Sequence, residues 1–296
     1  MKSKKNIFRV IFLLLLIGAT IKIACSQHNT PYQHNEGMIF GTVYHITYQY
    51  GEDLNKDILA ELQKVDDALS MFNKQSEITK VNNNQDIVVG RMFKEVFTLA
   101  EMVSEDTNGA FDITVAPLVN AWGFGFKNGS MPTKHTIDSL RMFVGFDKVS
   151  MKDGRIKKAD PRTMLDCGAI AKGYGSDVVA DFLRRKGIDN FMVEIGGEVV
   201  TCGISEKRVP WKIGVTKPSD DPTNTNQELQ TVLNITDRAM ATSGNYRNFY
   251  FKGGKKYAHT IDPKTGQPVQ HSLLSATVIA DRCATADAYA LSLIHI

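Results

Sequence analysis

Residues 165–175 read L-D-C-G-A-I-A-K-G-Y-G, and their folding orients the rest of the chain. The apolar pair Met164 and Leu165 leads into Asp166 as a short strand, which predicts a carboxylate at the rim of a sheet. Gly168 then lets the backbone approach a neighbour or a ligand without a Cβ in the way. Val178, Val179, Phe182 and Leu183 follow at helical spacing, with Gly187 placed to end the helix. A helix start presents free N–H groups that favour an anion. Lys172, in or just before the first turn, is unfavourable to the helix dipole unless an anion faces it. A structural strand–turn–helix with a surface lysine would read the same way in isolation.

Outward from this unit, residues 40–50 alternate, with Tyr44, Ile46, Tyr48 and Tyr50 on one face of a strand. Ile58, Leu59, Leu62, Val65 and Leu69 predict a helix over 54–69. Phe93, Val96, Phe97, Ala100 and Val103 predict a second, stopped by Asn108 and Gly109. A shorter helix spans 137–143, before Gly145. Asp153-Gly154 and Gly253-Gly254 mark hairpins. Strands are expected over 191–195, 211–215 and 273–280, and a polar loop over 217–227. Helices and hairpins mix without a βαβ rhythm, which predicts an α+β fold of mixed, mostly antiparallel sheets with packed helices.

Lys2, Lys4, Lys5, Arg9 and Lys22 all precede Cys25; removing these five takes the formal charge from +3 to −2. The folded part is therefore near neutral and has no basic surface for nucleic acid. The Lys-rich start, the apolar run over 10–21 and Ala24-Cys25-Ser26 read as a signal peptide over 1–24 with a lipobox-like end, although Lys22 departs from that pattern. Cys25 would then be the lipidated first residue, followed by a polar tether over 25–38, with the catalytic unit over 39–296. An uncleaved anchor or a plain signal remains the alternative. Cys167, Cys202 and Cys283 form no complete disulfide set and read as small buried hydrophobes.

Three further segments carry candidate chemistry. In G-A-F-D-I-T-V-A-P-L-V-N-A-W-G-F-G, residues 109–125, Asp112 sits in an apolar stretch, and the glycines around Trp122 and Phe124 suit a flat ring or an aromatic core loop. In Y-A-H-T-I-D-P-K-T-G-Q-P, residues 257–268, a strong turn sets His259 at a strand end. A-T-S-G-N-Y-R, residues 241–247, reads as a small-residue turn. A-T-A-D-A, residues 284–288, puts Asp287 on a helix.

Together with F-G-T-V-Y, S-M-F-N-K-Q-S-E and E-I-G-G-E, these segments occur in one order, from about residue 40 to 290, that resembles the ApbE family of FAD:protein FMN transferases. The resemblance implies a single T-fold-related catalytic unit. It implies that FAD binds with Mg²⁺, that AMP leaves, and that FMN is joined to a Ser or Thr of membrane redox subunits of the sodium-pumping NADH:quinone reductase or Rnf type. Carried over position by position, Phe40, Phe72, Ala110, Phe111, Asp112, Asp166, Lys172 and His259 would contact FAD. The Ala169 carbonyl and Asp287 would hold the metal. His259 or a nearby Asp would serve as base, with Asp287 also in the catalytic set. The implied location is the periplasm-facing cell envelope, lipid-anchored. The same site could serve an FAD pyrophosphatase or a non-catalytic flavin-binding lipoprotein. Two departures stand out. Phe40 replaces the usual Met. Leu291 stands where relatives carry a metal-contacting Thr, and the match stops there, so an incomplete or mis-read end over 291–296 is expected.

Overall fold

The computed structural model describes residues 2–125, 131–218, 228–245, 249–270 and 272–295, with backbone alone for 2–7 and 23–29. The Cys25 side chain, Arg247, most of the 217–227 loop and Ile296 lie outside the described residues. In chain order the elements are α1 (Lys2–Asn29), β1 (Tyr32–Ile39), β2 (Thr42–Gln49), α2 (Asn55–Leu69), α3 (Glu77–Asn82), α4 (Arg91–Asp106), α5 (Ala116–Ala121), α6 (Lys134–Arg141), β3 (Val149–Lys152), β4 (Arg155–Lys158), α7 (Ala171–Arg185), β5 (Phe191–Ile195), β6 (Glu198–Cys202), β7 (Trp211–Thr216), β8 (Leu229–Ile235), β9 (Ala239–Gly244), β10 (Phe249–Lys252), β11 (Lys255–Ala258), β12 (Ser275–Ala280) and α8 (Cys283–His295).

Six strands form one sheet in the order β1-β2-β5-β6-β9-β12, each pair antiparallel. Three separate hairpins, β3-β4, β7-β8 and β10-β11, complete the β structure among the described residues. The expected α+β class is the observed one. Alternation decides the two faces of the sheet. Tyr44, Ile46 and Tyr48 of β2, with Val193 and Ile195 of β5 and Val200 of β6, pack under Leu62 of α2 and Val179 and Leu183 of α7. Val199 and Met240 point the other way, against Trp211, Ile213 and Ile235 of the β7-β8 hairpin. A second apolar cluster joins α3, α4 and the start of α8 to Phe111, Ile113, Leu165 and Ile170. Helix α7 is sandwiched between these layers, and every residue from Gly173 to Ala180 is buried.

Several expectations are corrected. The tether over 25–38 is not free chain, because Tyr32–Ile39 is the edge strand β1, paired along its length with β2. Its polar composition misled, since an edge strand with one solvated face needs few apolar residues. The hairpin turn is Phe40-Gly41, both left-handed (φ +51° and +72°), as a two-residue turn of this type requires. Residues 164–166 form no sheet strand; Met164 makes one isolated parallel bridge to Val115. The small-residue stretch at Ala241–Gly244 is not a turn but part of β9, flanked by β6 and β12, where small side chains fit beneath α8. Helix α1 covers the basic and apolar leader, and its apolar side chains between 10 and 21 are exposed. Among the described residues no helix is long and apolar enough to cross a membrane.

Candidate active site

The start of α7 is built by contact with α8. Gly173 lies so close to the next helix that a Cβ there would meet the Cys283 carbonyl oxygen at 2.6 Å and the Ala284 nitrogen at 2.9 Å. Asp177, one turn further along and buried, accepts from the N–H groups of Cys283 and Ala284, both at 2.9 Å, and so caps the start of α8. Arg282 approaches the same carboxylate at 3.5 Å. These contacts set where the next turn of α8 carries Asp287.

Asp287 is buried, and its Oδ2 accepts from the Gly173 N–H at 3.1 Å. Gly173 sits in the first turn of α7, where an N–H has no acceptor within the helix, and Asp287 satisfies it. The ladder begins with the Tyr174 N–H on the Ile170 carbonyl, and the Ala169 carbonyl precedes it. Lys172 Nζ lies 3.9 Å from Asp287 Oδ2 and donates to Glu198 Oε1 at 2.6 Å. Glu198, 4% exposed, is the first residue of β6, directly after the Gly196-Gly197 turn (φ +65° and +101°). A Cβ on Gly196 would meet Thr42 at 2.8 Å and the Lys172 stem at 3.3 Å, so glycine is required both by conformation and by space. Burial pushes the Glu198 carboxyl up to about 7, against the pull of Lys172. Burial also raises Asp287, with Lys172 and the Gly173 N–H opposing. For Lys172 burial acts to lower the pKa, but Asp287 and Glu198 outweigh it and hold the ammonium above its ordinary value. The E-I-G-G-E segment was legible as a family segment, yet no role for Glu198 emerged from it. A glutamate opening a strand after two glycines carries no signal of a lysine 26 residues earlier.

The other candidates fall around this cluster. The Asp166 N–H donates to the Ile113 carbonyl at 2.6 Å, tying the 165–175 segment to the 109–125 segment. Asp166 Oδ1 accepts from the Gly168 N–H at 2.7 Å, and its pKa is raised by desolvation with that bond opposing. Asp112 is buried and accepts from both the N–H and the hydroxyl of Thr114 at 2.7 Å; desolvation raises its pKa. It also lines a cleft of about 760 Å³ shared with Arg141, Lys148 and Lys264. Ala110 and Phe111 are buried and the Phe111 ring belongs to the core, so what Phe111 can offer a ligand is backbone. Phe40 packs its ring over Gly175, where a Cβ would meet it at 2.7 Å. Phe72, in the α2–α3 turn, is 78% exposed.

His259 follows β11 and sits edge-on to Phe124, centroids 6.3 Å apart. Phe124 begins a stack through Tyr250 and Tyr257 to Trp122, with successive centroids 5.2, 5.5 and 5.6 Å apart. The Trp122 indole N–H donates to the Gly266 carbonyl at 2.8 Å, which locks the stack to the 262–266 turn. Asp262 is committed to that turn, accepting from the Lys264 N–H and the Thr265 hydroxyl. The free thiols Cys167 and Cys283 are buried and Cys202 is half-buried.

The ApbE family model matches residues 40–295. The chain belongs to the ApbE family. Among the curated members it resembles is the FAD:protein FMN transferase of Vibrio cholerae, 35% identical over 95% of this chain and 86% of that one. Another is that of Haemophilus influenzae, 34% identical over 93% and 83%. Among solved structures, the flavin transferase ApbE from Vibrio cholerae superposes with a TM-score of 0.81 at 37% identity, covering 90% of this chain and 87% of that one. The flavinyl transferase ApbE of Pseudomonas stutzeri, apo form, gives 0.80 at 30% identity, covering 90% and 84%. Within this ApbE fold, no group of three His, Cys, Asp or Glu side chains among the described residues is placed to hold a metal ion. Any cation at the site would therefore rely on fewer side chains, together with carbonyl, water and ligand oxygens. Leu291 packs against the apolar cluster of α4, and its side chain offers no oxygen.

Proposed function

We propose that this chain transfers FMN from FAD to a Ser or Thr hydroxyl of a target protein, with AMP as the leaving group and Mg²⁺ as the required cation. The observation that carries this reading is the cluster of half-buried Lys172 with the buried Glu198 and Asp287 at the start of α7, in a chain whose relatives are named for that reaction. The hydroxyl oxygen bonds to the FMN phosphorus, the bond to the AMP oxygen breaks, and the hydroxyl proton goes to a base. His259 is the base this reading favours, since Asp262 is occupied in its turn. Lys172, in the first turn of α7, meets the pyrophosphate. Mg²⁺, held by Asp287 and the Ala169 carbonyl, would neutralise charge on the pyrophosphate. Phe40, Phe72, Asp166, Asp112 and the backbone of Ala110 and Phe111 complete the FAD contacts. Phe124 and His259 offer an edge of the aromatic stack to a flat ring.

The leader supports an exported, lipid-anchored enzyme facing the periplasm, attached through Cys25, with subunits of the sodium-pumping NADH:quinone reductase or Rnf type as targets. The test is incubation with FAD, Mg²⁺ and a target domain. Flavin fluorescence on the target band after denaturing electrophoresis is the expected result. Free FMN without a labelled target would assign a pyrophosphatase, and unchanged FAD a binding protein. Asp287→Ala is expected to abolish Mg²⁺-dependent turnover while the melting transition persists; full activity in that variant would refute the metal assignment.

A further inference from the structure

We propose that Glu198 is a second carboxylate ligand of the cation, binding through Oε2 while Oε1 keeps the Lys172 ammonium. The proposal rests on the Mg²⁺-dependent reading above and extends it to a residue to which no role has been assigned. Three observations carry it.

The first is an orphaned atom. Glu198 Oε2 is buried and has no hydrogen-bond partner, although Oε1 of the same group is well paired with Lys172 at 2.6 Å. A buried carboxylate oxygen without a donor costs free energy, and native proteins rarely leave one so. The second is charge. Two buried carboxylates, Glu198 and Asp287, share one ammonium, with Lys172 Nζ within 3.9 Å of an oxygen of each. With both carboxylates ionised, the trio carries one net negative charge. A site of that sign repels a pyrophosphate. Adding a dication turns the net charge to one positive, which attracts it. The third is the supply of other oxygens. Asp287 and the Ala169 carbonyl are only two protein donors. Residue 291, one turn after Asp287 on α8, is an apolar Leu packed into the core. Glu198 is the remaining buried carboxylate at the cluster, and the left-handed Gly196-Gly197 turn holds it there. Mg²⁺ takes hard oxygen ligands at about 2.1 Å, and a carboxylate that bridges an ammonium and a dication provides one.

The test reads metal binding, not turnover. Mn²⁺ replaces Mg²⁺ as the probe, and binding is followed by loss of the free-ion electron paramagnetic resonance signal on titrating the FAD-free full chain. Wild type, Glu198→Gln, Glu198→Asp and Asp287→Asn are compared, with melting temperatures to establish that each is folded. The proposal expects Glu198→Gln and Glu198→Asp each to lose roughly tenfold or more in Mn²⁺ affinity. In Mn²⁺-soaked wild-type crystals the anomalous peak is expected at bonding distance from Oε2, which keeps the test independent of how the variants fold. A peak on Asp287 but out of bonding range of Oε2, with wild-type affinity in both Glu198 variants, overturns the proposal and leaves the Mg²⁺ reading standing. Wild-type affinity in Asp287→Asn as well, with no peak at the cluster, overturns both.

Discussion

Gly173→Ala tests the helix contact on which the whole site is hung. The added methyl would lie 2.6 Å from the Cys283 carbonyl oxygen, 2.8 Å from its carbon and 2.9 Å from the Ala284 nitrogen. All three are backbone atoms, so no side chain can rotate away. Ordinary carbon contacts lie at about 3.5–4.0 Å, so α8 must retreat by on the order of 1 Å. Overpacking of this kind costs about 1–3 kcal/mol. The helix propensity gained by replacing Gly is about 1 kcal/mol and offsets only part of it. A net loss of about 1 kcal/mol lowers the melting temperature by roughly 2–4 °C in a chain of this size. The effect on function should be larger. The retreat carries Asp287 away from the Gly173 N–H, now 3.1 Å distant, and from Lys172. A misplacement of about 1 Å can cost roughly 100-fold in rate. The assay is a thermal melt beside initial rates of AMP release from FAD with Mg²⁺ and target domain. An unchanged melting temperature with wild-type rates would refute the argument that backbone contact at Gly173 sets the position of Asp287.

Three further outcomes are expected. Lys172→Met leaves Glu198 and Asp287 buried without their ammonium and should destabilise by about 3–5 kcal/mol at pH 7; urea unfolding should show a smaller loss at pH 5, where the carboxyls take up protons. Asp177→Ala removes the acceptor for the first two N–H groups of α8 and should cost about 1–2 kcal/mol, read as faster hydrogen exchange at Cys283 and Ala284, while Asp177→Asn should cost less. The Tyr48 hydroxyl is buried among Leu54, Asn35 and Asp53, and desolvation raises its pKa from 10.0 to about 12. The unfolded chain loses this proton first, so the stability Tyr48 contributes is complete below pH 10 and is lost as pH rises through about 12. Tyr48→Phe should flatten that part of the alkaline unfolding curve, and an unchanged slope would remove Tyr48 as its source.

Local periodicity carried much of the secondary structure. The faces of β2, α2, α4 and α7 followed from apolar spacing, and the Asp153-Gly154 and Gly253-Gly254 turns from residues that accept left-handed backbone. Elements failed to show where their side chains answer to neighbours far along the chain. Strand β1 is polar because it is an edge, β9 is built of small residues because α8 lies over it, and residues 164–166 look extended but find no strand beside them.

The candidate site divides in the same way. Lys172 at a helix start and Asp287 on a later helix were legible because each sits in a segment of distinctive local composition, and family membership follows from the order of such segments. That Lys172, Asp287 and Glu198 share one buried cluster was not legible. It depends on two helices touching at Gly173, on Asp177 capping a helix that begins 106 residues later, and on a glycine turn between two strands. Residue types and their spacing determine which groups could bear the chemistry; only the packed chain decides which of them meet, because burial and net charge at the cluster arise from contacts between segments that are remote in sequence.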